Sequence, residues 1–169
     1  MEAARRLPGL EGPQLAQWMQ VLAHLPDPAG VEPLLGVLLA PRRMLTPDRD
    51  NVTYAAMVLS NLPCAAGPAM ELYRGALKDD ALRRPHILAT LARISALPNL
   101  EPAAREQLKS FLLGVISDPE ADPRDRVVLP RLMLHLIGLD EALQIKRVLG
   151  REKDAFVRDA LSAFLWEFF

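Results

Sequence analysis

One arrangement of residues recurs along this chain, and it constrains the fold more than any other feature. Asp80 stands four residues before Arg84, Asp122 before Arg126, and Asp154 before Arg158. Three residues after each arginine comes an apolar residue: Ile87, Leu129 and Leu161. Leu91, Met133 and Leu165 follow four residues on, and then Ile94, Leu136 and Phe168 after three more. Apolar steps of three and four lay a single stripe along one helix face. Asn51, Tyr54, Val58 and Asn61 hold the matching places one unit earlier, with a weaker match. Successive units lie 33, 42 and 32 residues apart, and the long middle spacing carries extra turn residues at 117–125. A period of about 30 to 40 residues, with two helices in each, is the signature of an α-solenoid. An aspartate at a helix start caps free N–H groups, and an arginine one turn later pairs with it or with a carboxylate of the adjacent unit. One helix pair is too small to bury the stripe alone, so the units must stack.

Composition agrees with an all-α chain. Leu and Ala dominate, and only 5% of the residues are aromatic. Leu and Ala favour helices, whereas strands draw on β-branched and aromatic residues. The periodicity predicts helices over 13–25, 29–40, 50–62, 67–78, 82–97, 102–117, 124–138, 140–150 and 155–168. Most of the 15 prolines fall between these runs or in their first turns, where a missing N–H costs little. Pro85 and Pro130 lie inside periodic segments and are expected to delay or kink a helix. The longest break is 41–50. Residues 1–11 read as a flexible lead-in to a single domain over 12–169.

Several classes are excluded on this reading. No run approaches the roughly 18 apolar residues of a membrane span. The first twelve residues lack the apolar core of a secretory signal, so a cytoplasmic location is expected. A single cysteine, Cys64, forms no internal disulfide, and it is expected to be structural. The net charge of −1 argues against a chain that wraps nucleic acid.

The segments Glu152 to Leu161, Asp118 to Leu132 and Asp79 to Leu91 resemble the HEAT repeat family. The first, with Asp154, Val157 and Arg158, is nearest to the family's intra-repeat turn. Pro85 departs from the pattern, and Asn51 stands where an arginine is expected. The resemblance covers about 29–169, or roughly four repeats. It implies a short right-handed α-solenoid of about four helical hairpins. It also implies that the second helices, here 50–62, 82–97, 124–138 and 155–168, line a concave binding face.

No pattern for catalysis stands out. His24, His86 and His135 form no pair at helical ligand spacing, so no metal site is expected. Phosphate-loop, nucleophile-elbow and zinc-protease motifs are absent. No cofactor is expected. Basic residues cluster at Arg83, Arg84 and Arg93, at Arg124, Arg126 and Arg131, and from Lys146 to Arg158. Acidic residues interleave them, which makes nucleic acid an unlikely partner. Two further readings remain: an alkylpurine DNA glycosylase-like or other nucleic-acid-associated protein, should the basic clusters face one groove, and a subunit of a chromophore lyase, which rests on fold analogy alone.

The C-terminus is unusual. Phe164, Trp166, Phe168 and Phe169 crowd into seven residues of a chain with few aromatics. Three readings stay open: a final core helix, a docking site for a partner or a second copy of the chain, or a chain that continues. The helix around Trp18, with Leu15, Met19 and Leu22 on one face, reads as a cap on the first repeat. These features predict a non-catalytic scaffold, adaptor or inhibitor that binds another protein. The candidate binding residues are Arg83, Thr90, Arg93, Arg131, His135, Asp159 and Ser162 on the second helices, with Phe164, Trp166, Phe168 and Phe169 at the C-terminus.

Overall fold

A computed structural model describes residues 10, 12–24, 28–75 and 80–169. The lead-in expected over 1–11 lies outside them, residue 10 apart. Among the described residues there are nine α-helices and one two-stranded antiparallel hairpin. The helices are α1 (Gly12–Ala23), α2 (Val31–Leu39), α3 (Asn51–Leu59), α4 (Ala66–Arg74), α5 (Arg84–Ser95), α6 (Pro102–Ser117), α7 (Pro123–Leu132), α8 (Leu139–Leu149) and α9 (Ala155–Leu165). The chain forms two compact units, one ending at Leu97 and one running from Pro98 to Phe169.

In the first unit α2 packs on α3 and α4 packs on α5. The two hairpins stack first helix on first, α2 against α4, and second on second, α3 against α5. Helix α1 covers this stack by packing on α2 and α3. It crosses the start of α2 at Gly30, where a Cβ would lie 2.9 Å from the Leu22 carbonyl oxygen, so only glycine fits. The second unit repeats the scheme without a cap: α6 on α7, α8 on α9, α6 against α8, and α7 against α9.

The repeated stripe is the core of both units. Ile87, Leu91 and Ile94 are buried on α5, Leu129 on α7 with Met133 just past its end, and Leu161 and Leu165 on α9. In the weaker first copy Tyr54 and Val58 are buried and Asn61 is exposed. The facing helices supply Leu34 and Leu38, Leu108 and Leu112, and Ala142 and Ile145. Fully burying one such aliphatic side chain stabilises by about 1.5–3 kcal/mol.

The aspartates start the helices as expected. The Asp154 carboxylate accepts from the Phe156 and Val157 amides, Asp122 from Arg124, and Asp50 from Thr53. Asp80 accepts from the Leu82 and Arg83 amides in the turn before α5.

Four sequence expectations need correction. Residues 41–50 are not a simple break: Met44–Thr46 pairs with Arg49–Asp50, turning at Pro47 and Asp48. The helix expected over 124–138 ends at Leu132, and a 3-10 turn follows over Leu134–Leu136. Pro130 lies inside this helix without ending it: the backbone leaves helical geometry at Met133, whose amide still bonds the Leu129 carbonyl. The last helix ends at Leu165, not 168, and Trp166 to Phe168 form a turn. Helix α5 begins at Arg84 with Pro85 in its first turn, two residues later than the periodicity suggests.

Candidate functional site

The first turns of the second helices reach back to the ends of the first helices. A helix leaves its last four carbonyls without intrahelical donors. At the end of α2 the Asn51 side chain fills this gap: its Nδ2 donates to the Val37 carbonyl at 3.0 Å and the Pro41 carbonyl at 3.2 Å. Its Oδ1 accepts from the Arg43 amide at 2.7 Å. Arg126 does the same for α6, its Nε donating to the Ile116 carbonyl at 3.0 Å while its Nη2 pairs with Glu152 of the next hairpin turn. Asn51 and Arg126, aligned by the sequence repeat, thus hold the same structural post.

These bonds decide which predicted residues remain available. Arg83 is committed inside the first unit: it donates to the Leu38 and Ala40 carbonyls at 2.9 Å and pairs with Asp80 at 2.6 Å. Thr90 is buried, its Oγ1 within 3.1 Å of the Ala56 carbonyl and 2.8 Å of the His86 carbonyl. It ties α5 to α3 and offers a partner nothing. Phe164 is buried in the core of the second unit, 5.2 Å from the Phe168 ring.

Arg93, Arg131, Asp159 and Ser162 are exposed on second helices. His135 is exposed too, but on the 3-10 turn after α7, since that helix ends early. Each unit carries a small cavity on its second-helix face. One of about 240 Å³ lies between α3 and α5 and includes Arg49, Met57, His86, Thr90 and Arg93. One of about 350 Å³ lies between α7 and α9 and includes Val128, Arg131 and Phe164. The structure therefore gathers Thr90 with Arg93, and Arg131 with Phe164. A larger groove of about 1000 Å³ opens in the second unit between the α6–α7 and α8–α9 turns. The basic residues at 146–158 stand out in the sequence, but their meeting with the 117–125 turn is tertiary.

The C-terminal turn presents its aromatics openly. Trp166 is 84% exposed and Phe169 56%. The Lys146 ammonium sits 4.6 Å from the Phe169 ring centroid, a cation–π contact. Phe168 is half-buried. Of the remaining chemical candidates, Cys64 is exposed, and the described residues contain no cluster of three or more His, Cys, Asp or Glu able to hold a metal. No described helix is long and apolar enough to cross a membrane.

Burial pulls the His86 pKa down; the nearby Asp50 charge opposes this and the Arg42 charge adds to it. Partial burial and the Arg105 charge lower His135 as well. A histidine lowered in the folded state stays neutral while its unfolded counterpart takes up a proton. Its stabilising contribution is present above the ordinary value of 6.5 and is lost as pH falls through the folded value. Glutamines at both positions should therefore flatten the decline of urea midpoints between neutral pH and the carboxylate range. An unchanged decline would place its origin elsewhere.

No protein-family model matches the chain, and no match is found among curated proteins or solved structures.

Proposed function

We propose that this chain is a protein-binding module of stacked HEAT-like hairpins, with no catalytic chemistry of its own. In this reading each pair of hairpins is a stretch of right-handed α-solenoid, and the aromatic C-terminal turn is the principal docking point. The stacking of first on first and second on second helices within each unit supports the architecture.

The observation that carries the binding role is the exposure of Trp166, at 84%, beside Phe169. Tryptophan is the residue most enriched where truncation costs an interface the most. An indole held in water on a short turn, past the helix that packs the core, serves stability little. Burying its apolar surface against a partner is worth about 2 kcal/mol or more. In the same unit, the exposed second-helix residues Arg131, Asp159 and Ser162 supply polar groups of both signs.

A second copy of the chain is the first partner to test. Light scattering over a concentration series should show mass rising above the monomer for the native chain, with Trp166→Ala shifted to about 30-fold higher concentration. Melting temperatures should agree, because the side chain lies outside the core. A drop in melting temperature with unchanged association would return Trp166 to a purely structural role.

A further inference from the structure

We infer that the groove between the α6–α7 and α8–α9 turns takes an acidic segment of a protein partner. The inference rests on the protein-binding reading, but it concerns a different surface from the aromatic turn. The groove, of about 1000 Å³, is the size of a ligand site rather than a packing gap.

Its charges are sorted. Four acidic residues line it: Glu120, Asp122, Glu152 and Asp154. Three of them are turned to the protein itself. Asp122 caps α7 through the Arg124 amide. Asp154 caps α9 through the Phe156 and Val157 amides. Glu152 is held by the Arg126 guanidinium and by the Lys153 and Asp154 amides.

The cations divide the other way. Arg126 is buried and spends its charge on Glu152. Arg147, Arg151 and Lys153 also line the groove, are exposed, and pair with no carboxylate among the described residues. Only Glu120 opposes them from an exposed position. Over the whole lining four cations balance four carboxylates, but the fully exposed charges that a ligand meets first are three cations against Glu120 alone.

The rest of the lining selects a polypeptide. Pro119, Ala121, Pro123 and Val148 give apolar patches between the charges, which suit aliphatic side chains spaced between carboxylates. Three rim cations offer a phosphate backbone few contacts, and affinity for nucleic acid rests on the number of phosphates neutralised. Glu120 would also repel a continuous phosphate backbone.

The test is a fluorescence anisotropy titration of the full chain with a labelled peptide composed only of Glu and Leu. The native chain should bind it saturably, and binding should weaken as salt rises. Arg147→Glu combined with Arg151→Glu should weaken it at least about tenfold, since both favourable pairs become repulsive. Arg158→Glu makes the same kind of charge change outside the groove and should bind like the native chain. Absence of saturable binding would overturn the proposal. So would equal binding of a peptide with Gln for Glu, or an unchanged affinity in the Arg147/Arg151 variant. Tighter, arginine-dependent binding of a single-stranded oligonucleotide would overturn it in favour of a phosphate ligand. Trp166→Ala should leave peptide binding intact, so failure of the groove and failure of the aromatic docking point register in separate experiments.

Discussion

Replacing Arg126 with alanine is expected to cost about 3–5 kcal/mol of folding stability, a large part of the roughly 5–15 kcal/mol that a domain holds. Arg126 and Glu152 are 3% and 7% exposed, so each charge has left water and relies on the other. Removing the guanidinium strands the Glu152 carboxylate and leaves the Ile116 carbonyl without its donor. The loss is larger than the net worth of the pair, because an unpaired buried charge keeps its full desolvation cost. Three comparisons isolate the cause. Arg126→Lys keeps the charge but lacks the planar fork that serves both partners, and should recover only part of the loss. Arg126→Met with Glu152→Leu removes both charges and should be more stable than Arg126→Ala alone. The third comparison is with acid. Burial works to raise the Glu152 pKa, but the Asp154 amide, the Arg126 guanidinium and the Lys153 amide outweigh it and hold it below the ordinary 4.5. A depressed carboxylate stabilises above its unfolded value and loses that contribution as pH falls through the folded one. The cost of Arg126→Ala should therefore shrink on acidification through the carboxylate range. Urea denaturation across pH measures all of this, and a cost below about 1 kcal/mol at neutral pH would contradict the account.

Asn51→Ala should cost about 3 kcal/mol. The side chain is fully buried and makes three hydrogen bonds, two to carbonyls and one to an amide. Alanine leaves the Arg43 amide and the Pro41 carbonyl without this partner and the Val37 carbonyl with the Ala40 amide alone, and a buried unsatisfied group costs about 1–3 kcal/mol. Asn51→Asp separates the two roles. It still accepts from the Arg43 amide but sets a carboxylate against the Val37 and Pro41 carbonyls, so it should be at least as damaging as alanine. If Asn51→Asp proves close to neutral in urea denaturation, the tie between α2 and α3 is not what holds this hairpin.

Arg126 and Asn51 also show how far the sequence could be read. Their alignment was visible from spacing alone, and so was the option that the arginine pairs with the adjacent unit. The helical runs were legible because Ile87, Leu91, Leu129, Leu161 and their neighbours repeat at helical intervals, and burial follows that stripe. The end of α7 was not, because the apolar stripe runs on through Met133 and Leu136 beyond the point where the backbone leaves the helix. The strands at Met44–Thr46 and Arg49–Asp50 are too short to show an alternating pattern. Among candidate site residues, Arg83 and Thr90 looked like free polar groups on a binding face. Both are consumed by backbone carbonyls 34 or more residues away in sequence, which no local pattern reveals. The groove has the same origin, since its two turns meet only through the packing of α6 on α8 and α7 on α9.

The central claim is that this chain binds protein through its C-terminal aromatic turn. It is tested most directly by quantitative capture from native lysate on the immobilised native chain and on Trp166→Ala, each verified to melt at the same temperature. The account predicts that the native chain retains a specific protein, a second copy of itself included, and that the variant loses it. Retention of the same proteins in the same amounts by both would contradict it.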